Sequence, residues 1–123
     1  MPMKEDRIKT LLQASKSAGP LTVGFLLVPN FSMLAFASAL EPLRAANRMS
    51  GQNLFSWVVS SPTGAAPEAS NEVTVHVQGT PEMLQDCRLV FVCAGLEVKA
   101  HADKETLNLI RRLDRKGAII GAI

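Results

Sequence analysis

Tyrosine is absent from this chain, tryptophan occurs once, and only two cysteines, Cys87 and Cys93, are present in 123 residues. That cysteine count and spacing match no common zinc or redox motif and exclude a small disulfide-stapled scaffold. Cys93 closes the apolar run Leu89-Val90-Phe91-Val92-Cys93 and reads as a small core residue, with no disulfide to Cys87 expected. His76 and His101 stand in polar surroundings with no second ligand at metal spacing, so neither a metal site nor a cofactor is expected. Charge of one sign is scarce as well. Thirteen basic against eleven acidic residues leave +2, too little for this segment to bind nucleic acid or a membrane surface through its net charge. No apolar run approaches the roughly 20 residues of a membrane-spanning helix. Residues 1–19 lack the apolar stretch of a signal peptide, and a cytoplasmic location is expected.

What is present is a globular composition, 47% hydrophobic and 20% charged, in a length that suits one domain. Residues 1–19 read as an appended arm containing a short helix, with Ile8, Leu11 and Leu12 at helical spacing and Gly19-Pro20 closing it. Leu21 to Val28 is a nearly continuous apolar run of strand length between prolines, the pattern of a strand buried on both faces. Met33 to Met49 carries Met33, Phe36, Ala37, Leu40 and Leu43 on one helical face, with Ser50-Gly51 as its end. Pro42 is awkward inside it, and the expected solution is a helix that begins or restarts at Ser38, or a kink.

Further strands are expected at Leu54–Ser60, Arg88–Cys93 and Ala118–Ile123. Alternating Val73, Val75 and Val77 predict a half-exposed strand in a hairpin or at a sheet edge. Thr80-Pro81 predicts a helical turn capped by Thr80. Asp103 to Lys116 reads as an amphipathic helix with Leu107, Ile110 and Leu113 on one side and Glu105, Arg111, Arg112 and Arg115 on the other. The basic cluster Arg111, Arg112, Arg115 and Lys116 complements that helix's dipole. Apolar strands alternating with helices imply an α/β fold with a doubly wound, mostly parallel sheet covered by helices on both faces. The last strand is wholly apolar with nothing after it to cover it, so the chain reads as the front part of a larger domain.

The block Val23-Gly24-Phe25-Leu26-Leu27-Val28-Pro29-Asn30-Phe31-Ser32-Met33-Leu34, followed by Leu40-Glu41-Pro42-Leu43-Arg44-Ala45-Ala46-Asn47, is distinctive. It resembles the start of a class I glutamine-amidotransferase-like sensor domain of the PfpI/ThiJ type, as carried by AraC-family transcriptional activators. Leu89 to Leu96 is similar to that family's strand and small-residue loop, and Gly117 to Ile123 resembles the strand leading into its nucleophile elbow. The resemblance covers residues 20–123. It implies a flavodoxin-like, glutamine-amidotransferase-like sensor of a small-molecule effector that acts as a homodimer. DNA would be bound only through a C-terminal domain not contained in this chain. The first helix looks most like regulators of quaternary-ammonium catabolism, of the glycine betaine or carnitine type.

Hydrolytic relatives place an acidic residue after the first strand, and the matching position here is Ala35. The elbow residue would lie just past Ile123. Loss of the carboxylate removes a proton partner for a nucleophile and argues for binding without catalysis, hence no catalytic residue. The ligand site implied by the resemblance comprises Asn30, Phe31 and Met33 after the first strand and Ala94, Gly95 and Leu96 after the third. Gly95 serves either as part of a backbone N–H shelf or as a tight turn. Phe31 is either a cation-facing ring or a packing residue at the helix entry. Glu41 is either a pocket carboxylate or half of a surface pair with Arg44 or Arg48. The competing functions are a PfpI-type cysteine hydrolase or glyoxalase-like enzyme, and a dimerisation module that binds no ligand.

Overall fold

The computed structural model describes residues 5–9, 19–95 and 103–123. Four strands, β1 (Leu21–Leu27), β2 (Phe55–Ser60), β3 (Leu89–Cys93) and β4 (Ile119–Ala122), form one sheet in the order β2-β1-β3-β4. Every strand pair is parallel, with Gly24 opposite both Val58 of β2 and Val90 of β3. Helix α1 (Met33–Ser50) follows β1 and helix α2 (Lys104–Arg115) follows β3. The expected α/β architecture with a mostly parallel sheet is observed, and the pairs among these four strands are all parallel.

β1 is the hub. Leu21, Val23, Phe25 and Leu27 point into a core shared with α1, where Phe36 is buried and Leu40 and Leu43 pack on. Leu26 points into a second core with Leu84, Cys87, Val90, Leu109 and Leu113 on the other face. Gly24 is required on that second face. A Cβ there would lie 2.9 Å from a Leu84 methyl and 3.1 Å from the Cys87 sulfur, so its absence lets the 3-10 helix Pro81–Asp86 settle onto the sheet.

Several local expectations are corrected. α1 begins at Met33, as the Met33–Met49 reading expects, and does not begin or restart at Ser38. Ser32 caps it, its hydroxyl accepting from the Ala35 N–H at 3.2 Å, and the helix runs through Pro42 without interruption. Pro42 lies on the exposed face, where water can reach the Ser38 carbonyl that the missing N–H leaves free. The Val73–Val77 segment is not a strand. It is a folded loop held by two isolated bridges, Glu68 to Thr74 and Ser60 to Gly79. Val77 is buried, Val75 half-buried and Val73 51% exposed, so the alternation marks a gradient of depth rather than one face of a strand. Thr80 precedes the 3-10 helix but makes no side-chain cap. Its hydroxyl bonds instead to the Glu82 carboxylate, which this bond, above all, holds below its ordinary pKa.

In α2 the buried residues are Thr106, Leu109 and Leu113, and Leu107 is exposed. Asp103 caps this helix as an acceptor for the Thr106 N–H at 2.8 Å, and that bond leads the causes that keep its carboxylate below the usual range. Of the 1–19 arm, residues 5–9 are helical. Arg7 donates to the Gly117 and Ala118 carbonyls just beyond α2, and the rest of the expected arm helix lies outside the described residues.

Asn47 ties the end of α1 to the start of β2. Its amide donates to the Phe55 carbonyl at 2.8 Å and its oxygen accepts from the Phe55 N–H at 2.9 Å. Asn47→Ala leaves both half-buried backbone groups without their partner. It is expected to lower folding stability by roughly 1–3 kcal/mol, read as a shift in the urea midpoint with unchanged slope.

Candidate functional site

In an open parallel sheet the strands deliver their carboxyl ends to one edge, and a crevice opens where successive helices leave on opposite faces. Here that switch lies between β1, followed by α1 on one face, and β3, followed by α2 on the other. Backbone bonds carry the alignment past the strand ends. The Val28 N–H donates to the Cys93 carbonyl at 3.0 Å, the Ala94 N–H to the Ile123 carbonyl at 3.1 Å, and the Ile123 N–H to the Val92 carbonyl at 3.0 Å.

At this edge Asn30 adopts a left-handed conformation, φ 70°, which asparagine tolerates better than most residues. Its N–H donates to the Glu68 carbonyl at 2.9 Å, and the Phe31 carbonyl accepts from the Ser70 N–H at 2.9 Å, so the 65–78 loop buttresses the turn. Gly95 lies directly against this turn: a Cβ on it would stand 2.1 Å from the Asn30 carbonyl oxygen. Four of the expected site residues, Asn30, Phe31, Ala94 and Gly95, thus belong to one junction.

The remaining expectations divide. Met33 is half-buried against the α1-side core, and Leu96 lies outside the described residues. The Phe31 ring is fully buried and meets Phe36 edge-on at 6.0 Å, so it supports the turn from beneath and presents no face to the crevice. The Ala94 N–H is engaged by Ile123, which removes it from any anion-binding shelf. Glu41 is a surface residue, its carboxylate accepting from Arg44 Nε at 2.7 Å. Ala35 sits in the first turn of α1 and brings no carboxylate to the edge. His76 is exposed, and His101 is outside the described residues. Among the described residues no group of three His, Cys, Asp or Glu is placed to hold a metal ion.

Sequence reasoning missed a cavity of about 310 Å³ beside the junction, lined by Pro29, Ser61, Pro67, Glu68, Asp103 and Thr106 among others. It is bounded by the loops after β1 and β2 and the start of α2. The lining residues are distant in sequence and share no motif, so only the turn signals near Pro29 and Pro62 hinted at it. A larger cavity of about 590 Å³ lies at the opposite, amino edge, where Arg7 meets Lys116, Gly117 and Ala118. It is formed by arm docking and lies away from the strand ends where such sheets bind ligands.

With this geometry in view, the known proteins that the chain matches are informative. It is 40% identical over 111 residues to HTH-type transcriptional regulator GlxA of Rhizobium meliloti (strain 1021), covering 89% of this chain and 34% of that protein. It is 41% identical over 99 residues to HTH-type transcriptional regulator CdhR of Pseudomonas aeruginosa, covering 80% of this chain and 29% of the relative. It is 31% identical over 108 residues to HTH-type transcriptional regulator GbdR of the same species, covering 88% and 29%. Its homologues are HTH-type transcriptional regulators.

The chain spans about a third of the length of these curated relatives. Among solved structures, an AraC family transcriptional regulator from Pseudomonas putida matches with a TM-score of 0.73 at 24% identity, covering 84% of this chain and 55% of that one. A DJ-1 superfamily protein from Agrobacterium tumefaciens matches with a TM-score of 0.61 at 17% identity, covering 83% and 52%. The fold is accordingly that of the DJ-1/PfpI group. No family model matches the chain. Among the described residues no helix is long and apolar enough to cross a membrane.

The two cysteines are free and buried. Burial pushes the Cys93 thiol up to about 12, and burial followed by the neighbouring Asp86 charge pushes Cys87 up to about 11. A neutral thiol is a poor nucleophile. In the unfolded chain both titrate near 8.5, so above about pH 9 the unfolded state sheds protons that the folded state keeps. The contribution of these two buried thiols to stability is complete below about pH 8 and is lost as pH rises through 9 toward 11. Cys93→Ala is expected to flatten the stability–pH slope between about pH 9 and 11, measured by urea titration at each pH. Gly95→Ala forces a methyl onto the Asn30 carbonyl and is expected to cost roughly 1–3 kcal/mol in the same measurement at neutral pH.

Proposed function

We propose that this chain is the effector-sensing part of a cytoplasmic AraC-type transcriptional activator that works as a dimer, and that its effector is a quaternary-ammonium metabolite of the glycine betaine or carnitine type. The observation that carries the reading is the junction at the switch point, where Gly95 packs its backbone against the Asn30 turn at the carboxyl edge of the sheet. The named homologues support the regulatory role, and the resemblance of the first strand–helix block to quaternary-ammonium regulators supports the effector class. The cavity beside the junction has prolines suited to methyl groups and two carboxylates, Glu68 and Asp103, suited to a cationic head. Ala35 in place of an acid and two buried, neutral thiols favour binding over catalysis. The enzyme alternative retains only the fold in its favour, because hydrolases share it. Half-site pairing on DNA favours a two-fold dimer.

The test is calorimetric titration with glycine betaine, dimethylglycine and carnitine, repeated on Gly95→Val and Glu68→Gln, with circular dichroism to check folding. Binding of at least one compound is expected, lost in Gly95→Val and weakened in Glu68→Gln. Failure of all three to bind removes the effector assignment. Unchanged affinity in both variants puts the site elsewhere. Amidase or glyoxalase turnover that depends on a cysteine would replace the sensor reading with the enzyme.

A further inference from the structure

β2 is the outermost strand of the sheet, so one of its edges faces away from β1. The Leu21 N–H donates to the Leu54 carbonyl at 2.9 Å, and Leu21 stands opposite Phe55. In a parallel ladder alternate residues bond to the neighbouring strand. The backbone groups of Ser56, Val58 and Ser60 therefore face β1, and those of Phe55, Trp57 and Val59 face outward. Outward N–H and C=O groups pair with a further strand, with side chains or with water. At Phe55 the Asn47 side chain takes up both groups. At Val59 both are taken up by Gln78. Its N–H donates to the Val59 carbonyl at 2.9 Å, and its side-chain Oε1 accepts from the Val59 N–H at 2.6 Å. A parallel strand would use two residues, one on either side of Val59's partner, for these two bonds. Because one residue makes both, the chain can turn away at once and still be pinned to the edge.

That pin lies at the foot of the loop that walls the cavity beside the junction. Most of the cavity's lining comes from residues 61–68, while Gln78 is exposed and lies outside it. The chain leaves β2 at Ser60, forms the wall, turns, and returns to β2 at Gln78. The outgoing and returning limbs are tied together, the Val75 N–H donating to the Pro67 carbonyl at 3.0 Å and the Ala69 N–H to the Val73 carbonyl at 2.9 Å. The wall is tied in turn to the bend after β1, through the Asn30 N–H on the Glu68 carbonyl and the Ser70 N–H on the Phe31 carbonyl, each at 2.9 Å. The Ser60 hydroxyl donates to the Gly79 carbonyl at 2.8 Å and steadies the same returning limb.

We infer that Gln78 is a positioning residue for the effector cavity: its side chain stands in for a strand on the outer edge of β2 and so clamps the loop that carries Glu68. This deepens the effector reading given above and rests on it for what the cavity holds. A wall that spends part of its time off the sheet lowers the apparent affinity in proportion to the fraction in place. The backbone bond from Gln78 to Val59 and the Ser60 bond to Gly79 survive loss of the Gln78 side chain, so its removal loosens the wall within a folded domain.

The experiment combines amide hydrogen exchange with calorimetric titration of the chain by glycine betaine and carnitine. In ligand-free Gln78→Ala the Val59, Asn30 and Ser70 amides are expected to exchange about tenfold or more faster, judged against the Phe25 amide of β1, which reports global opening. Affinity for whichever compound binds is expected to fall about three- to tenfold. Gln78→Glu keeps an acceptor oxygen at the same reach and is expected to retain both properties at neutral pH. Gln78→Asn, with a shorter side chain, is expected to behave as Gln78→Ala. Asn47→Ala removes the equivalent pairing at the other end of the same edge, outside the cavity lining, and is expected to lower stability with affinity unchanged. Unchanged exchange at Asn30 and Ser70 in Gln78→Ala overturns the inference and leaves the effector reading standing, as does an affinity loss of the same size in Asn47→Ala. Failure of both compounds to bind the wild-type chain removes the effector reading, and the exchange result then decides alone whether Gln78 clamps the wall.

Discussion

The burial of one strand on both faces and both edges is the constraint from which the rest of this structure follows. Leu21 to Leu27 hydrogen-bonds to β2 on one side and β3 on the other, while its side chains feed two separate cores. Such a strand can carry no exposed polar face, and Thr22, its only polar side chain, is part-buried and shares a 2.8 Å hydroxyl contact with Ser56 on β2. Full burial also dictates Gly24, since any side chain there would push the 3-10 helix off the second core. Hydrophobic burial of this strand stabilises the domain, and the same burial aims its carboxyl end at the switch point.

The chemistry of the carboxyl edge is mostly backbone chemistry. Asn30 turns the chain with a left-handed φ, the 65–78 loop accepts and donates the hydrogen bonds that hold that turn, and Gly95 closes against it. Cysteine thiols stay out of this junction, and the carboxylates nearest it, Glu68 and Asp103, line the cavity beside it. The thiols are held neutral by burial, and the position where hydrolytic relatives carry an acid is Ala35. The edge is thus shaped chiefly by main-chain groups, with the side chains of Glu68 and Asp103 in the adjoining cavity.

Where the expectations failed, tertiary context overrode a local signal. The Val73–Val77 alternation has a strand's period, but the segment folds back on residues 67–69, with the Ala69 N–H donating to the Val73 carbonyl and the Val75 N–H to the Pro67 carbonyl, and makes one bridge instead of a ladder with the sheet. Pro42 violates helix propensity, yet the helix tolerates it because the freed carbonyl faces water and the Ser32 cap holds the start. In α2 both Leu107 and Leu109 are apolar, and periodicity from Leu107 selects the wrong one. The face that meets Leu84 and Val90 is set by the Asp103 cap and runs through Thr106, Leu109 and Leu113.

The sequence alone determined the four strands, the parallel sheet with helices on both faces, and the burial of Cys93. Each of these depends on local apolar runs and caps that a linear reading can detect. The tertiary structure alone decided that Gly95 abuts the Asn30 carbonyl, that Phe31 turns inward to Phe36, that Glu41 pairs with Arg44, and that a cavity opens between Pro29 and Thr106. These are contacts between segments far apart in the chain or choices among rotamers. They are fixed by which surfaces the folded sheet brings within van der Waals reach, and no spacing within one segment encodes that.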